Sequence, residues 1–330
     1  MQDGSPAGPW PRSERRLDLA ARAAWLYYIA GNTQEEIAGK LGVSRQAAQR
    51  LVSLAVAEKL IKFRLDHRLA RGLELARALT DRFALDVCEI APADPAGGDP
   101  TPGIAVAAAA HLERLLAAPE PLVLAFSTGR TLRAMVEQVA PGAYPGHKIV
   151  SLVGAMSRDG RASSYEVVLR LADRIGAQCF PVPTPVVASS EAERTLLQTQ
   201  RSYQAVRALA TRAAATFVGI GEIGHDAPLR RDGFLDDAEL ADLIDRGAVG
   251  EIAGWAFTST GHLIEGGSNQ RVAGIPPRCP ALPSTIAVGG GGRKVAAIRA
   301  ALRGRLISGL ITDELTAARL MDSSGRGGPA

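Results

Sequence analysis

Cysteine and long apolar runs are both scarce in this chain of 330 residues. The three cysteines lie far apart, which excludes a Cys-x-x-Cys metal site and a disulfide framework and favours a reducing compartment. No apolar run approaches the roughly 20 residues that a membrane-spanning helix needs. The proline-rich N-terminus has no apolar segment of the kind found in secretory signals. The sequence therefore predicts a cytoplasmic protein with no membrane partner.

Sequence motifs for catalysis and metal binding are missing as well. The chain has no His-Glu-x-x-His or Gly-x-Ser-x-Gly motif, and its five histidines are scattered. Glu222, Asp226 and Glu251 could serve acid/base chemistry only if the fold brings them together. We therefore predict a protein that is not an enzyme and that needs neither a metal nor a cofactor. Hydrophobic residues make up 46% of the chain, so extensive disorder is not expected.

Positive charge is concentrated at the start of the chain. Residues 1–72 contain twelve Lys and Arg against seven Asp and Glu, a local net charge of +5, whereas the remainder carries −1. Such a concentration favours a polyanionic partner, and DNA is the natural candidate. On charge alone, a solvated basic surface is an equal alternative.

The spacing of apolar residues in this basic segment predicts a helix-turn-helix. Residues 17–30 and 34–41 have the pattern of two helices, and a third helix follows Ser44, a favourable N-cap. Gly42 permits the tight turn between the second and third helices, and the small Ala38 permits their close crossing. This arrangement is typical of DNA-binding helix-turn-helix units, in which the second helix of the pair lies in the major groove of DNA.

Several polar residues of this segment are candidates for DNA contact. Arg pairs with guanine and Gln with adenine, while hydroxyl groups bind phosphate. The predicted DNA-binding residues are Thr33, Ser44, Arg45, Gln46, Gln49 and Arg50. The alternative is a packed helical hairpin with no role in DNA binding.

The rest of the chain alternates predicted strands and helices, which indicates a mainly parallel sheet covered on both faces. Residues 60–65 fit either a wing strand or the start of a linker. Residues 69–83 fit a connecting helix, a dimer helix or an ordinary packing helix. Residues 190–213 have the composition of one long helix.

Three loops of this region are candidates for ligand binding, because ligands of parallel sheets bind beyond the carboxyl ends of strands. The loop 127–131 offers hydroxyls, a cation and a helix start, which suits a phosphate, a carboxylate or a polyol. The loop 219–224 matches Gly-x-Gly-x-x-Gly, but no long helix follows it, so a dinucleotide site is rejected. The loop 289–294 combines four glycines with Lys294 at a predicted helix start.

The whole pattern resembles the SorC family of sugar-responsive bacterial transcription regulators, which is related to DeoR. The resemblance covers about residues 15–322. It rests on EEIAGKLGVSRQAAQRLVSLAVAEKLI at the N-terminus, and on STGRTL, SYEVVLRLADRIGAQCFPVPTPVV, FVGIGEIG, RGAVGEIAGWAF, IAVGGGGRKVAAIRAALRG and LITDELTA further on. Ser127 replaces the first glycine usual in the family's loop, and Val153–Gly154 lacks an arginine found in members that sense glycolytic phosphosugars. Both departures argue against a bisphosphate effector.

The resemblance implies an α/β protein with an N-terminal all-α helix-turn-helix domain. The C-terminal α/β sugar-binding domain would be similar to ribose-5-phosphate isomerase and glucosamine-6-phosphate deaminase, but used for sensing. The expected domain organisation is a disordered tail over 1–14, the DNA-binding domain over 15–66, a linker helix over 67–90, the effector domain over 91–322 and a disordered tail over 323–330. The implied effector-binding residues are Ser127, Thr128, Gly129, Arg130, Thr131, Glu251 and Lys294, with a further contact from Arg230 or Arg231.

The resulting hypothesis is a sequence-specific regulator of a sugar or sugar-alcohol catabolic operon. Its partners would be operator DNA, a sugar, sugar-alcohol or sugar-phosphate effector, and further copies of itself in a dimer or homotetramer. One alternative is an active sugar-phosphate isomerase or deaminase with an appended DNA-binding domain. Another is an architectural DNA-binding protein whose second domain only oligomerises.

Overall fold

The computed structural model describes residues 12–58, 60–61, 70–157, 160–161 and 166–322. It divides into two compact units at residues 66 and 67. The first helix begins at Arg12, inside the segment 1–14 that was predicted to be a tail. Residues 1–11, most of the suggested wing at 60–65, and the predicted tail 323–330 lie outside the described residues.

The first unit is built from α1 (Arg12–Tyr28), α2 (Gln34–Leu41) and α3 (Arg45–Ala57) in its described part. Thr33 and Glu36 form a reciprocal capping box at the start of α2, and Ser44 caps α3 by accepting a hydrogen bond from the Ala47 N–H at 3.2 Å. Gly42 has φ 65°, the left-handed conformation that ends α2 and starts the tight turn into α3. The buried residues of this unit are Ala20, Ala23, Ala24, Ile37, Ala38, Ala48, Val52 and Ala55.

The second unit alternates helices and strands along the described chain. Its elements are α4 (Ala70–Phe83), β1 (Val87–Ala91), α5 (Thr101–Leu116), β2 (Val123–Phe126), α6 (Arg130–Gln138), β3 (Lys148–Met156), α7 (Val168–Ile175), β4 (Gln178–Pro185), α8 (Glu191–Thr199), α9 (Arg201–Ala210), β5 (Ala215–Val218), β6 (Gly221–Glu222), α10 (Pro228–Arg231), α11 (Asp237–Asp245), β7 (Ala248–Ile252), β8 (Trp255–Thr258), β9 (Thr285–Val288), α12 (Val295–Arg303), β10 (Gly309–Asp313) and α13 (Glu314–Met321).

A parallel sheet forms the centre of the second unit, as the alternating pattern predicts. In the described chain its strands lie in the order β1-β10-β9-β5-β2-β3-β4, and each neighbouring pair is parallel. Two apolar layers cover its faces. Leu112, Leu132 and Leu171 bury one face beneath α5, α6 and α7, while Leu79 and Tyr203 belong to the other layer. The unit is therefore a mixed α/β fold with helices on both sides of the sheet.

The described residues 70–90 belong to the second unit, whereas the predicted domain organisation has a linker helix over 67–90. These described residues form α4 and most of β1, and β1 is an edge strand of the parallel sheet, paired with β10. Leu79 of α4 is fully buried in the second unit's core. The apolar periodicity of 69–83 thus reflects ordinary packing of a helix on its own domain.

The predicted single helix over 190–213 is also divided in two. Gln200 has ψ 142°, an extended conformation that ends α8 and begins α9. No residue of α8 is buried, whereas Tyr203, Val206 and Ala210 anchor α9 in the core. The two segments therefore pack differently despite their similar helix propensity.

The strand order brings the three candidate loops together. β9, β5 and β2 are neighbours in the sheet, so the loops that follow them meet at one edge. In the sheet, β3 lies beside β2 and β9 lies beside β5. The chain connections that follow β2 and β5 therefore leave this point of the sheet in opposite directions. Crevices at such a reversal are the usual ligand sites of open parallel sheets.

Candidate functional site

A cavity of about 140 Å³ lies beyond the carboxyl ends of β2, β5 and β9. All of its lining belongs to the second unit. The lining residues are Thr128, Gly129, Arg130, Thr131, Leu132, Val153, Val186, Gly219, Ile220, Gly221, Glu222, Pro228, Leu229, Asp232, Phe234, Glu251, Ala253, Gly254, Arg293 and Lys294. Apolar walls with a few converging polar groups are typical of sites for small molecules.

The loop between β2 and α6 forms one wall of the cavity. Gly129 is the N-cap of α6, and no side chain caps this helix start. The backbone N–H groups of the first turn are therefore not capped by a side chain, and the helix dipole favours an electron-rich group there. Thr128 and Thr131 add hydroxyls to the same wall.

Ser127 does not line the cavity but holds two of its loops together. Its side chain is buried, and its Oγ accepts a hydrogen bond from the Gly219 N–H at 2.9 Å. This bond joins the loop after β2 to the loop after β5. A glycine at position 127, which the resemblance leads us to expect, could not accept this bond, so the serine has a structural role.

A small antiparallel sheet supplies two carboxylates. In the described chain it has the order β6-β7-β8, and it pairs Gly221 with Glu251. The hairpin between β7 and β8 turns through Ala253 and Gly254, both of which have positive φ, as a type I′ turn requires. This turn directs the Gly254 N–H to Glu251 Oε2 at 2.8 Å.

Burial raises the pKa of Glu251 above its ordinary value, although the Gly254 hydrogen bond and Lys294 oppose the shift. Burial conversely lowers the pKa of Lys294, and Glu222 and Glu251 oppose that shift. Desolvation therefore dominates for both groups. Such a pair is held in a partly dehydrated space where hydrogen bonds to a ligand are strong.

Glu222 and Arg293 complete this part of the cavity. Arg293 Nη2 lies 3.8 Å from Glu222 Oε1, but the arginine side chain is 71% exposed, so this contact is weak. Lys294 ends a short 3₁₀ turn over Gly292–Lys294, which leads directly into α12. The glycine loop after β9 thus presents both cations to the cavity.

The structure brings together most of the effector residues implied by the resemblance. Thr128, Gly129, Arg130, Thr131, Glu251 and Lys294 line one cavity. Arg230 lies outside this lining and forms an ion pair with Asp237. Arg231 is likewise absent from that lining.

The sequence reasoning did not assign Glu222, Asp232, Arg293 and Phe234 to the effector site. A signal was available for Glu222, since it lies in the glycine-rich loop after β5 and is one of the acid/base candidates of the sequence. Asp232 and Phe234 follow the short helix α10, where the sequence carries no recognisable pattern.

In the first unit, the predicted DNA-binding residues share an exposed surface. Arg45, Gln46, Gln49 and Arg50 lie on α3, and all four are exposed. Their spacing places them on one side of the helix. The hydroxyls of Thr33 and Ser44 are engaged in helix capping, so phosphate contact at these positions would involve the helix N-termini as well.

Comparisons with known proteins agree with this architecture. Residues 67–322 match the family described as "Putative sugar-binding domain". The chain is 33% identical over 303 residues to the erythritol catabolism regulatory protein EryD of Brucella abortus, covering 92% of this chain and 96% of EryD. It is 30% identical over 310 residues to the transcriptional regulator LsrR of Klebsiella pneumoniae, covering 92% and 93%.

A solved structure has the same fold over nearly the whole chain. The full-length sorbitol operon regulator SorC from Klebsiella pneumoniae superimposes with a TM-score of 0.69 at 22% identity, covering 93% of this chain and 99% of SorC. Together, these matches define a transcriptional regulator with a sugar-binding domain. More particularly, the chain belongs to the SorC family, as its motifs indicate. The enzymatic alternative is not supported, because the relatives are regulators.

Among the helices of the described residues, none has both the length and the apolar character needed to cross a membrane.

Proposed function

We propose that the protein regulates a sugar or sugar-alcohol catabolic operon by binding operator DNA with an affinity that a carbohydrate effector controls. The cavity carries this proposal. It combines threonine hydroxyls, a helix start without a side-chain cap, three carboxylates and a half-buried lysine within one small space. Polyhydroxy ligands both donate and accept hydrogen bonds, so they need such a mixture.

We assign effector contact to Thr128, Gly129, Arg130, Thr131, Glu251 and Lys294, and a positioning role to Ser127. The names of two relatives support the ligand class, since one regulates erythritol catabolism and the other a sorbitol operon. We also infer that this domain shares its fold with ribose-5-phosphate isomerase and glucosamine-6-phosphate deaminase, and uses it for sensing.

The first unit would act as the helix-turn-helix. α3 has the exposed basic and amide side chains that base edges and phosphates bind, and the tight turn at Gly42 sets its angle to α2. Regulators of this kind bind two half-sites, so we infer a dimer or homotetramer that spaces two copies of α3 along the operator.

Selection of bound fragments from the source genome, followed by footprinting at several salt concentrations, tests this function. We expect a defined site near sugar-uptake or polyol genes, and a change in its occupancy when the matching sugar or polyol is added. Weak binding that does not depend on DNA sequence and falls steeply with salt concentration would contradict the proposal and favour an architectural protein.

A pair of variants locates the DNA-reading surface. Arg45→Ala should weaken specific binding by about 1–3 kcal/mol if the arginine contacts a base. Arg22→Ala is the matched control, because Arg22 is an exposed arginine of α1 that pairs with Asp18 in the same unit. Equal losses from both variants would mean that only general charge, and not α3, contributes to recognition.

A further inference from the structure

One carboxylate oxygen in the cavity lacks a hydrogen-bond donor. Glu222 Oε2 is buried and has no hydrogen-bond partner among the described residues. The other oxygen, Oε1, has Arg293 Nη2 3.8 Å away, which is beyond hydrogen-bond distance. A buried acceptor without a donor is costly, so such an atom in a ligand cavity indicates that the ligand supplies the donor.

The surrounding charges restrict the kind of donor. The cavity holds three carboxylates, Glu222, Asp232 and Glu251, against the cations Arg130, Arg293 and Lys294. Lys294 lines the same cavity as Glu222 and Glu251, and the negative charges of these two carboxylates oppose the lowering of its pKa. Arg293 is largely exposed to solvent, which weakens its effect within the cavity. The cavity therefore has little positive charge to spare for an anion.

We propose that the effector is an uncharged polyol or sugar, that one of its hydroxyls donates to Glu222 Oε2, and that Glu222 sets the preference against phosphorylated forms. This inference rests on the proposed function of the cavity as the effector site. A phosphorylated ligand loses the hydroxyl that is esterified, keeps the others, and adds nearly two negative charges at neutral pH. Those charges would lie beside the three carboxylates of the cavity. The three cations only balance these carboxylates and leave no excess positive charge for a phosphate.

Calorimetric titration of the full chain at pH 8 tests the inference. The probes are erythritol, arabinitol and sorbitol, each compared with its own terminal monophosphate. We expect at least one uncharged compound to bind, and its monophosphate to bind at least tenfold more weakly. This comparison uses the wild-type chain and so does not depend on the folding of any variant.

The variant Glu222→Gln then tests the specificity role. Its amide should weaken binding of the uncharged ligand and reduce the preference over the monophosphate at least tenfold, because it removes both an acceptor and a negative charge. Asp226→Asn is the matched control, since Asp226 is an exposed carboxylate four residues further along the same loop and does not line the cavity. The control should leave the preference unchanged.

The outcomes separate this inference from the function on which it rests. Tighter binding of a monophosphate, or a preference that Glu222→Gln does not alter, overturns the inference while the cavity remains an effector site. If none of the six compounds binds, the assignment of the cavity to a polyol effector fails, and the inference fails with it.

Discussion

At the scale of single residues, the cavity contains two groups, Glu251 and Lys294, whose charged forms burial disfavours. The pKa of Glu251 is raised and that of Lys294 is lowered, so dehydration opposes the charged form of both. A folded domain keeps such groups only where its packing forces them together. Stability is commonly lower at binding sites for this reason.

Glu251 gives the protein a pH-dependent stability whose sign follows from its raised pKa. The folded state holds this proton to a higher pH than the unfolded chain does. The free energy of unfolding should therefore fall as pH rises from the ordinary pKa of 4.5 towards the raised value. Glu251→Gln should reduce this fall, because the amide keeps the shape of the side chain but does not titrate.

Urea unfolding of the ligand-free protein between pH 4 and 7 measures the effect. Glu265→Gln serves as the control, because Glu265 is an exposed carboxylate. Identical pH dependence in Glu251→Gln and in the wild type would contradict the burial of this charge. Lys294 acts in the opposite sense, because its lowered pKa makes the free energy of unfolding rise with pH up to the ordinary pKa of 10.5.

Gly221 is required where the backbone passes Glu251. A Cβ atom at this position would lie 2.2 Å from Glu251 Oε1. Gly221→Ala should therefore displace the carboxylate, weaken ligand binding and cost about 1–3 kcal/mol of stability. Gly224→Ala is a control in the same loop, because nothing lies within 4 Å of its added Cβ. Calorimetric titration and thermal unfolding of both variants measure the difference, and equal effects would contradict the argument.

At the scale of secondary-structure elements, the sequence predicts what depends on local pattern. The helices α2 and α3 are bounded by Thr33, Gly42 and Ser44, whose chemistry is readable without any partner. The strands β2, β5 and β9 are short apolar runs followed by loops rich in glycine or hydroxyls. Their position as neighbours in the sheet is what gathers these loops, and that position depends on long-range pairing.

Elements that depend on tertiary packing are less predictable. β1 was read as part of a linker because its role as an edge strand comes from pairing with β10, which lies over 200 residues away. The break between α8 and α9 falls at Gln200, where no glycine or proline marks it in the sequence. Glu222 was not predicted as an effector residue. Its role depends on sharing a cavity with Glu251 and Lys294, which lie tens of residues away in the sequence.

The capping box of α2 tests one of the local predictions. Thr33 was predicted to contact DNA, but its Oγ1 accepts a hydrogen bond from the Glu36 N–H at 3.3 Å. Thr33→Ala should therefore destabilise the first unit by about 1 kcal/mol, whereas Thr33→Ser should retain the cap. Chemical unfolding of the full chain, followed by far-ultraviolet circular dichroism, compares the two variants. Equal stability in both would show that the cap contributes nothing.

At the scale of the whole molecule, each unit has its own apolar core, and the two proposed ligands bind to different units. The proposed DNA surface lies on α3, and the cavity is lined by residues of the second unit. A regulator of this design works only if the effector favours one state of the whole assembly. Without a difference in affinity between states, the effector could not change DNA binding.

This requirement leads to a reciprocal prediction. If the effector changes operator affinity by about 5–150-fold, then operator DNA must change effector affinity by the same factor. Fluorescence anisotropy with labelled operator, with and without saturating effector, gives the first factor, and calorimetric titration of effector with and without operator gives the second. Lys294→Met should remove the response to effector in both experiments, because it removes the half-buried cation of the cavity.

Arg303→Met provides the control for that variant. Arg303 is an exposed cation on α12, the same helix that follows Lys294, and it does not line the cavity. It should keep both factors at their wild-type values. If the effector binds tightly to the wild type but leaves operator affinity unchanged, the cavity is a binding site without regulatory coupling. The control of DNA binding would then have to reside elsewhere in the molecule.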